Sequence, residues 1–243
     1  MKTILRILLY GLLAVAIRLL LKVEVRGREH VPASGPYIAI GNHFSWFEIP
    51  LLFHYLPQSP AVFGAREMVD LPPLRFLAWL FPVIPVWRGQ VDRQALRQAL
   101  QVLQDGGILG IFPEGGIDPE LQDAISRGHQ FARTEGQNSR HPAVLIKAHA
   151  GPAYLAVESG APILPVAYMG TEHVLNNLRR LRRTPVTVCF GPLFGPLTLP
   201  AGARGVGRRQ ALDDFADGMM REVAALMPPA YHGVYAIPHP PPN

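Results

Sequence analysis

Several things are scarce in this sequence, and each shortage closes off a class of explanation. Cysteine occurs once, at Cys189, so neither an intrachain disulfide nor a cysteine-ligated metal site can form. Cys189 stands in the apolar run VTVCF and is expected to be a buried structural thiol. The nine histidines show no tight ligand spacing, which speaks against a metal hydrolase. No G-x-S-x-G occurs, so a serine hydrolase built on that elbow is disfavoured. No internal repeat is visible. Apolar residues are not scarce: they make up 49% of the chain, which excludes a low-hydrophobicity disordered protein.

At 243 residues the chain holds one large domain with a sizeable core and does not require two. The net charge is +5 and Arg greatly outnumbers Lys. A basic surface suits phospholipid headgroups, phosphorylated substrates or nucleic acid, and charge alone does not choose among them. The cluster Arg179, Arg180, Arg182 and Arg183 lacks interleaved aromatics, so nucleic acid is not the expected partner.

Near the N-terminus an uninterrupted apolar stretch runs from Ile7 to Ile17, flanked by Arg6 and Arg18. It is shorter than the ~20 residues of a spanning helix, and no small-residue cleavage site follows it. The expectation is an interfacial or shallowly inserted helix. A true span with snorkelling arginines and a packed core helix are the alternatives.

Seven short apolar runs follow: 23–27, 37–42, 61–65, 83–87, 108–112, 163–168 and 186–190. They are apolar on both faces, as strands covered on each side are. Helical patterns alternate with them. Leu96, Ala99, Leu100 and Leu103 share one face before Gly106 and Gly107, and GPAYLAVESG is a short helix stopped by Gly160. Leu212, Phe215, Met219, Val223 and Leu226 form a stripe that ends at Pro228. The fold class is therefore α/β, a largely parallel or mixed seven-stranded sheet with helices on both faces, preceded by the N-terminal membrane-associated helix. The expected division is 1–22 for that helix, 23–230 for the α/β domain and 231–243 for a proline-rich tail. Residues 117–146 read as a long polar insertion, with a helix-start signal at Asp118-Pro119-Glu120.

Ligands of open α/β sheets bind outside the carboxyl ends of the strands. After the 37–42 run comes the segment from Asn42 to Glu48, NHFSWFE; after 83–87 come Arg88 and Gly89; after 108–112 come Glu114, Gly115 and Gly116. His43 suits a general base, because an imidazole titrates near operating pH. Glu48, five residues on at a helix start, is placed to fix its tautomer and stabilise the imidazolium. Arg88 suits bidentate phosphate binding. Glu114 is expected either to orient substrate or to brace its loop, and Gly115 and Gly116 let backbone N–H groups approach a ligand. Asn42 and Ser45, on either side of the histidine, complete the expected substrate contacts.

Taken together these stretches resemble the glycerolipid acyltransferases, a family that includes the lysophosphatidic acid acyltransferases. NHFSWFE resembles the family's H-x-x-x-x-D block, with Glu48 where Asp is usual. VIPVWRG, FPEGG and APILPVAY resemble three further blocks, in order. The likeness runs from about Val23 to Phe194. It departs after FPEGG, where Gly116 and Ile117 replace the family's Thr-Arg; Arg127, Arg133 and Lys147 are candidates for the lost cation. The resemblance implies O-acyl transfer from an acyl thioester, on coenzyme A or acyl carrier protein, to a hydroxyl of a lysophospholipid or glycerophosphate-like acceptor. His43 would be the base, and Arg88, Glu114 and Gly115 would help hold the acceptor. No cofactor or metal is called for. Membrane lipids are the expected partners, at the cytoplasmic face. The alternative is a catalytically inactive, membrane-binding member of the same fold.

Overall fold

The computed structural model describes residues 2–87, 91–117 and 139–236. Among them, seven strands form one sheet: β1 (Leu21–Arg26), β2 (Tyr37–Gly41), β3 (Ala61–Ala65), β4 (Val83–Val86), β5 (Ile108–Ile111), β6 (Ile163–Met169) and β7 (Thr184–Phe190). Their order is β1-β7-β6-β2-β5-β3-β4. The run from β6 to β4 is parallel throughout, while β7 lies antiparallel to β6 and carries β1 beside it as the edge. The sheet is thus mixed, with a parallel centre.

Alternation along the central strands shows why both faces must be covered. Ile38 and Ile40 of β2, with Ile163, Ala167 and Met169 of β6, face one core. Tyr37 and Ala39, with Leu164, Val166 and Tyr168, face the other. Burial of each such Ile, Leu or Val contributes roughly 1.5–3 kcal/mol. The first core is closed by α5 (Arg93–Gln104), α6 (Gly151–Ser159) and α8 (Gly205–Ala225). In α5 the Asp92 carboxylate caps the amide groups of Gln94 and Ala95 at 3.1 and 3.0 Å. Its fully buried residues are Ala95, Ala99 and Leu103, at the i, i+4 spacing of one helical face.

The second core is closed by α1 (Lys2–Leu20) and α2 (Glu48–Tyr55). Ile17 of α1 is buried there, with Tyr10, Leu13 and Leu20 packed partly against it. Two short helices, α3 (Arg66–Val69) and α4 (Pro72–Leu80), join β3 to β4. A further one, α7 (Val174–Arg179), lies between β6 and β7. The strand runs expected from the sequence correspond to β1–β7 within two residues at each end. The three short helices were not expected. They are too brief for a hydrophobic period to stand out.

Two departures concern single segments. Cys189 is half-buried rather than buried, because β7 lies next to the edge strand. Within the stretch expected as tail, Tyr235 is buried, and its hydroxyl accepts from the Ala148 amide at 2.9 Å and donates to Asp217 at 3.0 Å. Residues 118–138, which hold the expected helix start of the insertion, and 237–243 lie outside the described residues.

Several glycines leave no room for a side chain, and one of them directly follows the strand that ends at Met169. Gly170, directly after β6, adopts φ +87°, and a Cβ there would collide with the Pro185 carbonyl oxygen. Gly170→Ala is expected to lose at least about 1–2 kcal/mol, the usual cost of a left-handed L-residue, before the collision is counted. Chemical denaturation would check it; a variant as stable as the parent would show that the turn relaxes freely.

Candidate active site

The helix after β2, α2, packs on the second core, whereas α6, which precedes β6, packs on the first. The connections leaving β2 and β5 therefore diverge to opposite faces between two adjacent strands. The carboxyl ends of two such adjacent strands are the usual ligand position in open α/β sheets. The residues that follow β2, β5 and β6 meet there.

The loop leaving β2 is held along its length. Gly41 lies against the Tyr168 ring, where a Cβ would come within 2.9 Å of a ring carbon. Asn42 is fully buried. Its amide nitrogen donates to the Tyr168 carbonyl at 2.9 Å, and its oxygen accepts from the Tyr168 amide at 2.8 Å. His43 follows, its ring stacked on Phe112 at 4.3 Å and 20°. Phe44 is buried and stacks on Tyr231.

Glu48 occupies the first turn of α2, where a negative charge is favoured by the helix dipole. One of its oxygens accepts from His43 Nδ1 at 3.0 Å and from the Ser45 amide at 2.8 Å. The other accepts from the Thr171 hydroxyl. All three partners are donors, which assigns the Nδ1–H tautomer to a neutral His43 and leaves Nε2 as the basic nitrogen. The histidine side chain is 13% exposed and the Glu48 side chain 0%, so the ring is the part of the pair that can meet a substrate. Burial pushes the Glu48 carboxyl above the usual carboxylate range, and the bonds from His43, Thr171 and Ser45 oppose that rise.

Glu114, at the carboxyl end of β5, is also fully enclosed. One oxygen accepts from the His43 backbone amide at 2.6 Å. The other accepts from Arg140 Nη1 at 2.7 Å and the Ile146 amide at 3.0 Å. Of the two roles open to Glu114 from sequence, the geometry displays the bracing one. Arg140 is 1% exposed and donates further to the carbonyls of Ile117, Gly116 and Val144 at 2.8, 2.7 and 3.0 Å. Its own amide donates to the Phe44 carbonyl at 2.6 Å, beside a bridge between Ser45 and Ser139. The return of the insertion is thus stitched to the histidine loop. Gly115 adopts φ +72°, the conformation that turns FPEGG back on itself.

The expected site residues therefore divide. His43 and Glu48 come together, and Gly115 and Gly116 directly follow Glu114, which accepts from the His43 amide. Asn42 and Ser45 were expected to touch substrate, and Glu114 either to do so or to brace its loop; all three are buried and hold the loop from within. Arg88, like Arg127 and Arg133, lies outside the described residues. Lys147 is exposed, and the guanidinium beside Glu114 is that of Arg140. Sequence reasoning missed Arg140 and Thr171. Thr171 has a signal that was available, since it stands one residue past the Met169-Gly170 strand end. Arg140 has none, because its partner lies across the insertion. Among the described residues no three His, Cys, Asp or Glu side chains converge as a metal site.

The acyltransferase family model matches residues 22–169, more than half of the chain. The chain belongs to the acyltransferase family. Two relatives within it are 1-acyl-sn-glycerol-3-phosphate acyltransferases. That of Borreliella burgdorferi is 28% identical over 156 residues, covering 63% of this chain and 53% of its own. That of Chlamydomonas reinhardtii is 24% identical over 220 residues, covering 87% of this chain and 55% of its own. The chain spans about half the length of these relatives. The crystal structure of the 1-acyl-sn-glycerophosphate (LPA) acyltransferase PlsC from Thermotoga maritima shares the fold, with a TM-score of 0.59 at 22% identity, over 90% of this chain and 79% of that one.

Two measurements test the buried charges. Arg140→Met leaves Glu114 enclosed without its cation and should cost about 3–5 kcal/mol, while adding Glu114→Gln should recover part of the loss. Strict additivity of the two losses in chemical denaturation would rule out the coupling. The raised Glu48 pKa has a defined sign. A carboxyl that is easier to protonate folded than unfolded favours the folded state most below about pH 4, and that contribution is lost as pH rises through the folded value. Glu48→Gln should therefore gain stability relative to the parent between pH 4 and 8. A pH-independent difference between the two would remove the assigned burial cost.

Proposed function

We propose that this chain transfers a fatty acyl group from an acyl thioester, on coenzyme A or acyl carrier protein, to a hydroxyl of a lysophospholipid or glycerophosphate-like acceptor at a membrane surface. The observation that carries the reading is the His43–Glu48 contact of 3.0 Å at the carboxyl end of the central strand. The names of the relatives support the acceptor class.

In the proposed reaction, Nε2 of His43 takes the proton of the acceptor hydroxyl as its oxygen attacks the thioester carbonyl. The C–S bond of the tetrahedral intermediate then breaks, and the departing sulfur receives the proton from the imidazolium. Glu48 remains ionised and stabilises the imidazolium between the two steps. Thr171 and the Ser45 amide keep its carboxylate in place. Arg88 is proposed to bind the acceptor phosphate, with backbone groups at Gly115 and Gly116 beside it. The exposed stripe of α1, at Ile4, Ile7, Leu8, Leu12, Val15 and Leu19, supports an interfacial anchor. The opposite side of that helix packs on the domain, which favours a helix lying along the cytoplasmic leaflet over one crossing it.

Acyl-transfer rates with labelled acyl-CoA and lysophosphatidate give the test. His43→Ala should lose on the order of 10²–10⁴-fold in rate while the fold and liposome binding persist. Glu48→Gln should also fall steeply, because its amide would donate to Nδ1 and force the proton onto Nε2. Glu48→Asp should retain more activity than Gln. A His43→Ala protein that works at the parent rate would exclude this mechanism.

A further inference from the structure

The connection between β3 and β4 carries a helix that does not behave as a water-facing one. α4 reads PPLRFLAWL, with Arg75 as its single charge. Phe76, Leu77 and Trp79 are 47%, 39% and 46% exposed, and Leu71 at its N-cap is 44% exposed. Phe76 and Trp79 stack on each other at 5.9 Å. Adjacent large apolar side chains left open in this way mark a contact surface rather than scattered exposure.

This surface is moored to α1. Arg6 Nε donates to the Leu80 carbonyl at 2.6 Å, and Tyr10 meets Phe81 edge-on at 5.6 Å. Lys2 Nζ donates to the Trp79 carbonyl at 3.5 Å and stands 4.3 Å over the Trp79 ring. Two elements about seventy residues apart are thus fastened together, each with apolar side chains left facing solvent. Their contacts lie where α4 runs on into β4, at the amino ends of the parallel strands.

We propose that α4 is a second lipid-contact element, which lays Phe76, Leu77 and Trp79 on the same anionic leaflet as α1. The proposal rests on the membrane reading of α1 and extends it. The occupant follows from charge. Neither helix carries an acidic residue, and together they bring Lys2, Arg6, Arg18 and Arg75 to the surface. A second copy seated on the same face would set these cations against themselves, whereas anionic headgroups neutralise them. Trp beside a cation at the rim of an apolar patch suits the headgroup level of a bilayer.

The test uses the full-length chain and vesicles of phosphatidylcholine with phosphatidylglycerol. A Trp46→Phe/Trp87→Phe background leaves Trp79 as the reporter. Its emission should shift to the blue on vesicle addition and be quenched by lipids that carry a nitroxide on the acyl chain. Phe76→Ser/Leu77→Ser/Trp79→Ser should lower the vesicle partition coefficient roughly tenfold or more, because three apolar side chains leave the lipid. A parallel variant, Leu8→Asp/Leu12→Asp, reports on α1. Loss of binding in the α1 variant, with Trp79 unquenched in vesicle-bound protein whose α1 is intact, would overturn the α4 proposal and leave the α1 reading standing. Full binding in both variants would overturn the α4 proposal and the α1 reading together. A wild-type dimer in vesicle-free buffer that the serine variant turns into a monomer would assign the face to a second copy and overturn the proposal.

Discussion

A carboxylate removed from water must be met by donors, and the Glu48 carboxylate is the point on which the rest of the site depends. Burying that charge unaided would cost several kcal/mol. Three donors offset the cost: the His43 ring, the Ser45 amide and the Thr171 hydroxyl. They come from two strand ends, so the arrangement exists only because β6 lies directly beside β2. The same donors dictate the state of the histidine. With Nδ1–H committed to Glu48, the lone pair lies on Nε2, on the exposed side of the pair.

The second buried carboxylate is solved differently. Glu114 faces a guanidinium, Arg140, in addition to two backbone amides. Its charge is balanced by a permanent cation, whereas Glu48 has neutral donors unless His43 is protonated. One carboxylate therefore fixes the backbone of the histidine loop without favouring either state of the ring. The other favours the imidazolium. Held at both backbone and ring, His43 has little freedom left to lose, which is the condition for proton transfer at a fixed geometry. Longer reach also suits Glu rather than Asp at position 48, because its two oxygens serve partners on different elements.

The two faces of the sheet are finished in different ways. On one, α5, α6 and α8 bury their apolar stripes and present charged residues outward. On the other, α1 packs one stripe inward and leaves a second apolar stripe outside, joined by that of α4. A water-soluble domain has no reason to build the second arrangement, so this asymmetry links the fold to its proposed place at a lipid surface.

Much of this was legible in the sequence. Strands covered on both faces are apolar nearly throughout, as β2 to β6 are, β1 and β7 keep an alternating apolar face, and helices repeat at 3.6 residues, so these strands and α5, α6 and α8 announce themselves locally. The His43–Glu48 spacing is local too, since five residues connect a strand end to a helix start. Other features are not local. Asn42, Ser45 and Glu114 are polar residues at strand ends, where sequence marks them as ligand contacts. Only the neighbouring strand, loop and guanidinium reveal that they are enclosed. Arg140 reads as one more basic residue until the return of the insertion carries it to Glu114. The spacing of His43 and Glu48 was thus determined by the chain alone, because covalent connection limits how far apart they can lie. Which donors surround Glu48 and which cation answers Glu114 were decided by strand order and loop return. Those partners lie 123 and 26 residues away, at distances that no local pattern encodes.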